Sequence, residues 1–113
     1  MIDDDVELCQ ELTEILKDEG YHVETAANGS LGMNCLELNS YDLVILDYRM
    51  PSSSGIEVLK FIKKKKIPSR IFLISGRPFI EKLVKEEGLA DQVTCVINKP
   101  FNIKTLLDNI KKL

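Results

Sequence analysis

Tryptophan is absent and histidine occurs once, as His22, in this chain of 113 residues. One imidazole cannot build a His-based metal site or a histidine proton relay, and His22 sits in a segment that reads as an exposed strand. Cysteine is scarce and odd in number: Cys9, Cys35 and Cys95 stand far apart without a CxxC pair. That spacing excludes a disulfide framework or a zinc ribbon and points to reduced thiols. Long apolar runs are missing as well. The longest are about four residues, far below the ~20 required to cross a bilayer, and no signal-peptide pattern opens the chain. An excess of positive charge is also lacking, since 15 Lys and Arg face 18 Asp and Glu for a net charge of −3. Such a balance does not favour sequence-independent attachment to phosphate backbones. These absences lead us to expect a cytoplasmic protein with no membrane contact and no direct nucleic-acid contact.

What is present suits one ordinary core. Hydrophobic residues make up 44% and charged residues 29% of the chain, so residues 1–113 are expected to form a single domain. Leu8, Leu12, Ile15 and Leu16 mark one face of a first helix, and Gly20 follows where a left-handed cap belongs. Tyr21 to Ala26 reads as a short strand. Asn28-Gly29-Ser30 starts a second helix to Leu38, with Leu31, Cys35 and Leu38 on its apolar face. Leu43-Val44-Ile45-Leu46 is apolar without alternation, the pattern of a strand covered on both sides. Pro51 and the run Ser52-Ser53-Ser54-Gly55 form a turn before a helix carrying Ile56, Leu59, Phe61 and Ile62. That helix ends in Lys63-Lys64-Lys65-Lys66, cations favoured at a helix C-terminus. Arg70 to Ile74 is a further buried strand, Phe79 to Glu87 a helix with Phe79, Ile80, Leu83 and Val84 on its face, and Val93 to Ile97 a last strand. A closing helix carries Ile103, Leu106, Leu107 and Ile110. Strands alternating with helices predict an α/β fold, a doubly wound parallel sheet with helices on both faces.

In such a sheet functional groups gather at the carboxyl ends of the strands. Asp3, Asp4 and Asp5 follow Ile2, Asp47 ends the strand at Leu46, Ser75 ends the strand at Ile74, and Lys99 follows Ile97. Carboxylates forced together repel, and a hard divalent cation such as Mg²⁺ relieves that cost. An ammonium and a hydroxyl at the same edge could hold the outer oxygens of a phosphoryl group. Asp47 is then the natural nucleophile.

These residues carry a family resemblance over nearly the whole chain. The acidic cluster in Ile2-Asp3-Asp4-Asp5, Gly20-Tyr21-His22-Val23, Ala27-Asn28-Gly29, Tyr41 to Asp47, Met50-Pro51 with Gly55, and Lys99-Pro100-Phe101 together resemble the receiver domains of two-component response regulators. The resemblance implies a CheY-like, flavodoxin-like sheet of five parallel strands in the order 2-1-3-4-5. It also implies that Asp3 and Asp4 hold Mg²⁺ with Asp47 and the backbone carbonyl of Arg49, that Asp47 accepts phosphate, and that Ser75 and Lys99 contact it. Its implied partners are a sensor histidine kinase or phosphotransfer protein and a downstream effector. Catalysis by such a domain extends only to its own phosphorylation and dephosphorylation.

The chain departs from the family pattern in four places. Only Met1 and Ile2 precede Asp3, where a full strand would run to about five residues. This predicts lost ladder bonds in the sheet interior, or compensation by exchange with a second copy in a homodimer. Val96 stands where the family often has an aromatic ring that swings inward on activation. Arg49 and Arg77 lie two residues after Asp47 and Ser75 and are expected to flank the phosphate and slow its loss. Gly76 follows Ser75 and loosens the support of its hydroxyl. Rival readings fit less well. A phosphatase of the haloacid dehalogenase type needs a second acid where Arg49 stands, and an FMN binder needs a Ser/Thr/Gly-rich phosphate loop where the aspartates stand. A phosphorylation-independent pseudo-receiver is the remaining alternative.

Overall fold

The protein is described by a computed structural model over residues 1–50 and 54–113. The proline of Met50-Pro51 and the first two serines of the expected turn lie outside the described residues. Three parallel strands form the body of the sheet: β1 (Leu43–Asp47), β2 (Arg70–Ser75) and β3 (Cys95–Asn98), in the order β1-β2-β3. The other two strand positions are reduced to bridges, with Ile2 paired in parallel to both Ala26 and Leu46. The expected order 2-1-3-4-5 is therefore kept, its first two members shrunk to one residue each.

Backbone hydrogen bonds at Ile2 and Asp3 hold both bridges. Ile2 donates to Ile45 O at 2.7 Å and accepts from Asp47 N at 2.9 Å, while Asp3 donates to Ala26 O at 3.0 Å. In the strand expected over Tyr21 to Ala26, Ala26 N donates to Met1 O at 2.9 Å and the Met1 ammonium to Glu24 O at 2.7 Å, while Tyr21 to Thr25 are largely exposed and outside any assigned strand.

Helices α1 (Val6–Asp18) and α5 (Ile103–Lys111) cover one face, and α2 (Gly29–Leu38), α3 (Gly55–Lys65) and α4 (Ile80–Glu86) the other. The strands supply both cores because successive side chains point to opposite sides. Ile45, Phe72 and Ile74 join Leu12, Leu16, Leu106 and Ile110, whereas Val44, Leu46, Ile71 and Leu73 join Val58, Leu59, Ile62 and Val84. Complete burial of each large aliphatic contributes roughly 1.5–3 kcal/mol. Caps set the helix ends: Asp5, Asn28, Ser54 and Asn102 accept from backbone N–H groups of α1, α2, α3 and α5. Gly20, at φ +94°, closes α1 as expected.

Two side-chain assignments are corrected. The packed face of α2 is Gly29, Gly32 and Leu36, while Leu31 and Leu38 are exposed. Gly32 explains the rotation, because a Cβ there would lie 2.5 Å from Ile2 Cδ1, so its bare backbone lets the helix close on the sheet. Phe79 does not join the face of α4. It is the residue before the helix, left-handed at φ +61° and 84% exposed. Its left-handed backbone lies outside the helical region, so α4 starts only at Ile80. The lysine run behaves as a helix end. Lys66 is left-handed after α3, Lys63 Nζ donates to Gly88 O at 2.8 Å, and Lys65 pairs with Glu37 at 3.7 Å. His22 is exposed and the three thiols are unpaired.

Candidate functional site

The carboxyl edge of the sheet collects the predicted groups. Asp47 is the last residue of β1, Ser75 the last of β2, and Lys99 follows β3. Register sets their mutual placement, since Asp47 pairs with Ile74 and Ser75 with Asn98. Lys99 N also donates to Ser75 O at 2.8 Å, which ties the third strand end to the second.

One carboxylate oxygen from each of Asp3, Asp4 and Asp47 falls within 4.8 Å of the others. Asp3 and Asp47 are buried and Asp4 is exposed. Lys99 Nζ reaches in between, 3.3 Å from Asp47 Oδ1 and 3.6 Å from Asp3 Oδ2. Burial and then the nearby charge of Asp3 push the Asp47 carboxyl up to about 6, against the pull of Lys99. Burial draws the Lys99 ammonium down, but Asp47 and Asp3 outweigh it and leave its pKa raised.

This donor set fits a hard cation. Three ionised carboxylates against one ammonium leave two negative charges uncompensated, which is the charge of one divalent ion. Asp3 Oδ2 is in addition a buried oxygen with no hydrogen-bond partner among the described residues. Such an atom costs on the order of 1–3 kcal/mol, and more when ionised. Its sister Oδ1 is already engaged by Asp5 N at 3.0 Å.

Spacing alone left the three N-terminal aspartates as one cluster, from which the family resemblance picked Asp3 and Asp4, and the structure gives Asp5 a different task. Asp5 Oδ1 accepts from Leu8 N at 3.0 Å and is the N-cap of α1. Asp3 and Asp4 are the two that share a cluster with Asp47. Cys9 supports the same segment from below, its buried Sγ donating to Asp3 O at 3.6 Å. Arg49, two residues past Asp47, is exposed. Arg77 lies beside Tyr48: its Nη1 donates to the Tyr48 hydroxyl at 2.8 Å, and its guanidinium lies over the ring, 5.6 Å from the centroid. Tyr48 was not singled out from sequence. Its position next to Asp47 is the one signal that could have drawn attention to it. Val96 pairs with Leu73 and packs against the core as an ordinary strand residue.

Known proteins resemble this chain in sequence and in fold. A sequence model of the response regulator receiver domain matches residues 1–111. The transcriptional regulatory protein CpxR homolog of Haemophilus influenzae is 39% identical over 114 residues, covering 100% of this chain and 48% of that protein. The cell cycle response regulator CtrA of Brucella ovis is 33% identical over 110 residues, covering 97% of this chain and 47% of that protein. The chain thus spans about half the length of these curated relatives. Among solved structures, Vibrio cholerae chemotaxis protein CheY4 superposes with a TM-score of 0.83 at 32% identity, covering 98% of this chain and 92% of that one. Thermotoga maritima response regulator TrrA, solved with Mg(2+)-BeF, gives 0.82 at 33% identity, covering 98% and 93%. Among the described residues no helix is long and apolar enough to cross a membrane. Sequence, fold and edge chemistry converge: the chain belongs to the response regulator receiver domain family and is a two-component signalling domain rather than a catalytic enzyme.

Proposed function

We propose that Asp47 accepts a phosphoryl group from the phosphohistidine of a sensor histidine kinase or phosphotransfer protein, and that the phosphorylated domain presents a changed surface to an effector. The observation that supports this reading best is the placement of Lys99 Nζ within 3.6 Å of both Asp47 and Asp3, beside the strand end that carries Ser75. In the transfer an Asp47 carboxylate oxygen attacks phosphorus as the bond to the donor imidazole nitrogen breaks. The bonding pair returns to that nitrogen, which takes up a proton. Lys99 and the Ser75 hydroxyl hold the outer phosphoryl oxygens, so the work of the site is positioning and charge neutralisation. Asp3, Asp4 and Asp47, with the backbone carbonyl of Arg49, are the residues that would hold Mg²⁺. When bound, the ion supplies positive charge against the phosphoryl oxygens.

Residues 1–113 are read as one such unit. The test is intact-mass spectrometry after incubation with acetyl phosphate and Mg²⁺. A gain of one phosphoryl group is expected, lost in Asp47→Asn and in EDTA. A folded sample that gains none, or an Asp47→Asn variant that still gains one, overturns the assignment and leaves a phosphorylation-independent interaction module.

A further inference from the structure

Ser75 sits at the end of a strand and is followed by Gly76, whose missing Cβ leaves the segment after it with a wide choice of conformations. A hydroxyl that must meet a phosphoryl oxygen needs better restraint than that. The structure supplies it from the neighbouring strand. Arg77 N donates to Ser75 Oγ at 2.9 Å, and the Arg77 side chain is fastened to Tyr48 by both the 2.8 Å hydrogen bond and the cation–π contact. Tyr48 is itself a fixed post. Its N–H donates to Ile74 O at 2.9 Å, its carbonyl accepts from Gly55 N at 2.7 Å, and its ring packs against the core.

We propose that Tyr48 and Arg77 form a clasp across the ends of β1 and β2 that positions the Ser75 hydroxyl for the phosphoryl group. With one Oγ lone pair taken by Arg77 N–H, the Ser75 proton is left to be donated elsewhere. Ser75 stands one residue beyond the strand partner of Asp47, so an oxygen carried by Asp47 is the acceptor this register offers. Tyr48 and Arg77 act through Ser75 and touch no reacting atom. The role rests on the reading of Asp47 as acceptor given above, and it departs from the expectation that Arg77 would itself cover the phosphate.

Beryllium trifluoride with Mg²⁺, which mimics a phosphoryl group on a carboxylate, is the probe, and its affinity for the full chain is read by fluorine NMR. Tyr48→Phe keeps the ring and removes the hydroxyl. Arg77→Met removes the clasp from the other side. Each is expected to weaken binding about fivefold, the equivalent of one ordinary hydrogen bond, and the pair together no more than either alone. In a Ser75→Ala background neither change should have any further effect. Gly76→Ala, whose Cβ would meet only Lys99 Cβ at an ordinary 3.6 Å, should restore part of the affinity lost in Arg77→Met by stiffening the segment. Unchanged affinity in Tyr48→Phe and Arg77→Met, or an equal loss with Ser75 already removed, overturns the clasp while binding by the parent upholds the acceptor reading. A parent that does not bind the probe, or an Asp47→Asn variant that binds it as well, removes that reading and the clasp with it.

Discussion

Lys99 Nζ lies 3.3 Å from Asp47 Oδ1 and bridges it to Asp3, so one partly exposed ammonium balances two buried carboxylates. Removing it leaves both without a countercharge. A fully buried broken pair costs about 3–5 kcal/mol, but Lys99 is 30% exposed, and solvent screening lowers the cost to about 1–2 kcal/mol. Lys99→Met, which keeps the apolar stem, is therefore expected to unfold at lower urea concentration in EDTA. Mg²⁺ should bind the variant more tightly than the parent, because the competing ammonium has gone. Equal stability in EDTA together with weaker Mg²⁺ binding would contradict both expectations.

Asp47 carries a pH dependence of unusual sign for a carboxylate. Its folded pKa of about 6 lies above the ordinary carboxylate value of 3.8, so between these values the folded chain binds a proton that the unfolded chain has lost. The contribution of this residue is therefore most favourable below pH ~4 and is lost as pH rises through ~6. At neutral pH the penalty is at most about 3 kcal/mol. Metal-free Asp47→Asn is expected to melt higher than the parent at pH 7, with the gap closing towards pH 4 and narrowing again when Mg²⁺ is added at neutral pH. Thermal melts across that range check it, and a gap that stays constant with pH would refute the charge-repulsion account.

The edge chemistry was readable before the fold because its members follow apolar runs directly: Asp47 after four aliphatics, Ser75 after Ile74, Lys99 after Ile97. A strand ending in a polar residue puts that residue at the rim, and parallel strands share one rim. Packing direction was harder to read. The stripe of Leu31, Cys35 and Leu38 has helical spacing, yet α2 packs through Gly29, Gly32 and Leu36, and at Gly32 the close approach of Ile2 leaves no room for a Cβ. Hydrophobic periodicity cannot register a face made of glycine. Phe79 misled for a different reason, since its left-handed backbone places it outside the helix whose spacing it matched. Tyr48 and Arg77 meet across 29 positions, a contact that only the pairing of β1 with β2 creates.

Asp4 and Asp5 are adjacent and alike in charge, but one is tied up in a helix cap and the other is not. Asp5 Oδ1 accepts from Leu8 N and its own N–H donates to Asp3 Oδ1, so its side chain ends one backbone valence of α1 while its backbone steadies the site. Asp4 is exposed and offers a carboxylate oxygen to the cluster with Asp3 and Asp47. Asp5→Ala should therefore cost about 1 kcal/mol of stability through the lost cap, and Asp5→Asn, which can still accept from Leu8 N, much less. Neither should alter Mg²⁺ affinity by more than about twofold, since their charge lies outside the cluster and is screened by solvent. Asp4→Asn should do the reverse. It leaves the melting temperature in EDTA unchanged or slightly raised, because a repelling carboxylate is gone, and lowers Mg²⁺ affinity at least tenfold by removing a charged ligand. Mg²⁺ titration of the three variants, paired with melts in EDTA, separates the two roles. A large affinity loss in Asp5→Asn with none in Asp4→Asn would move the metal site one residue along the chain.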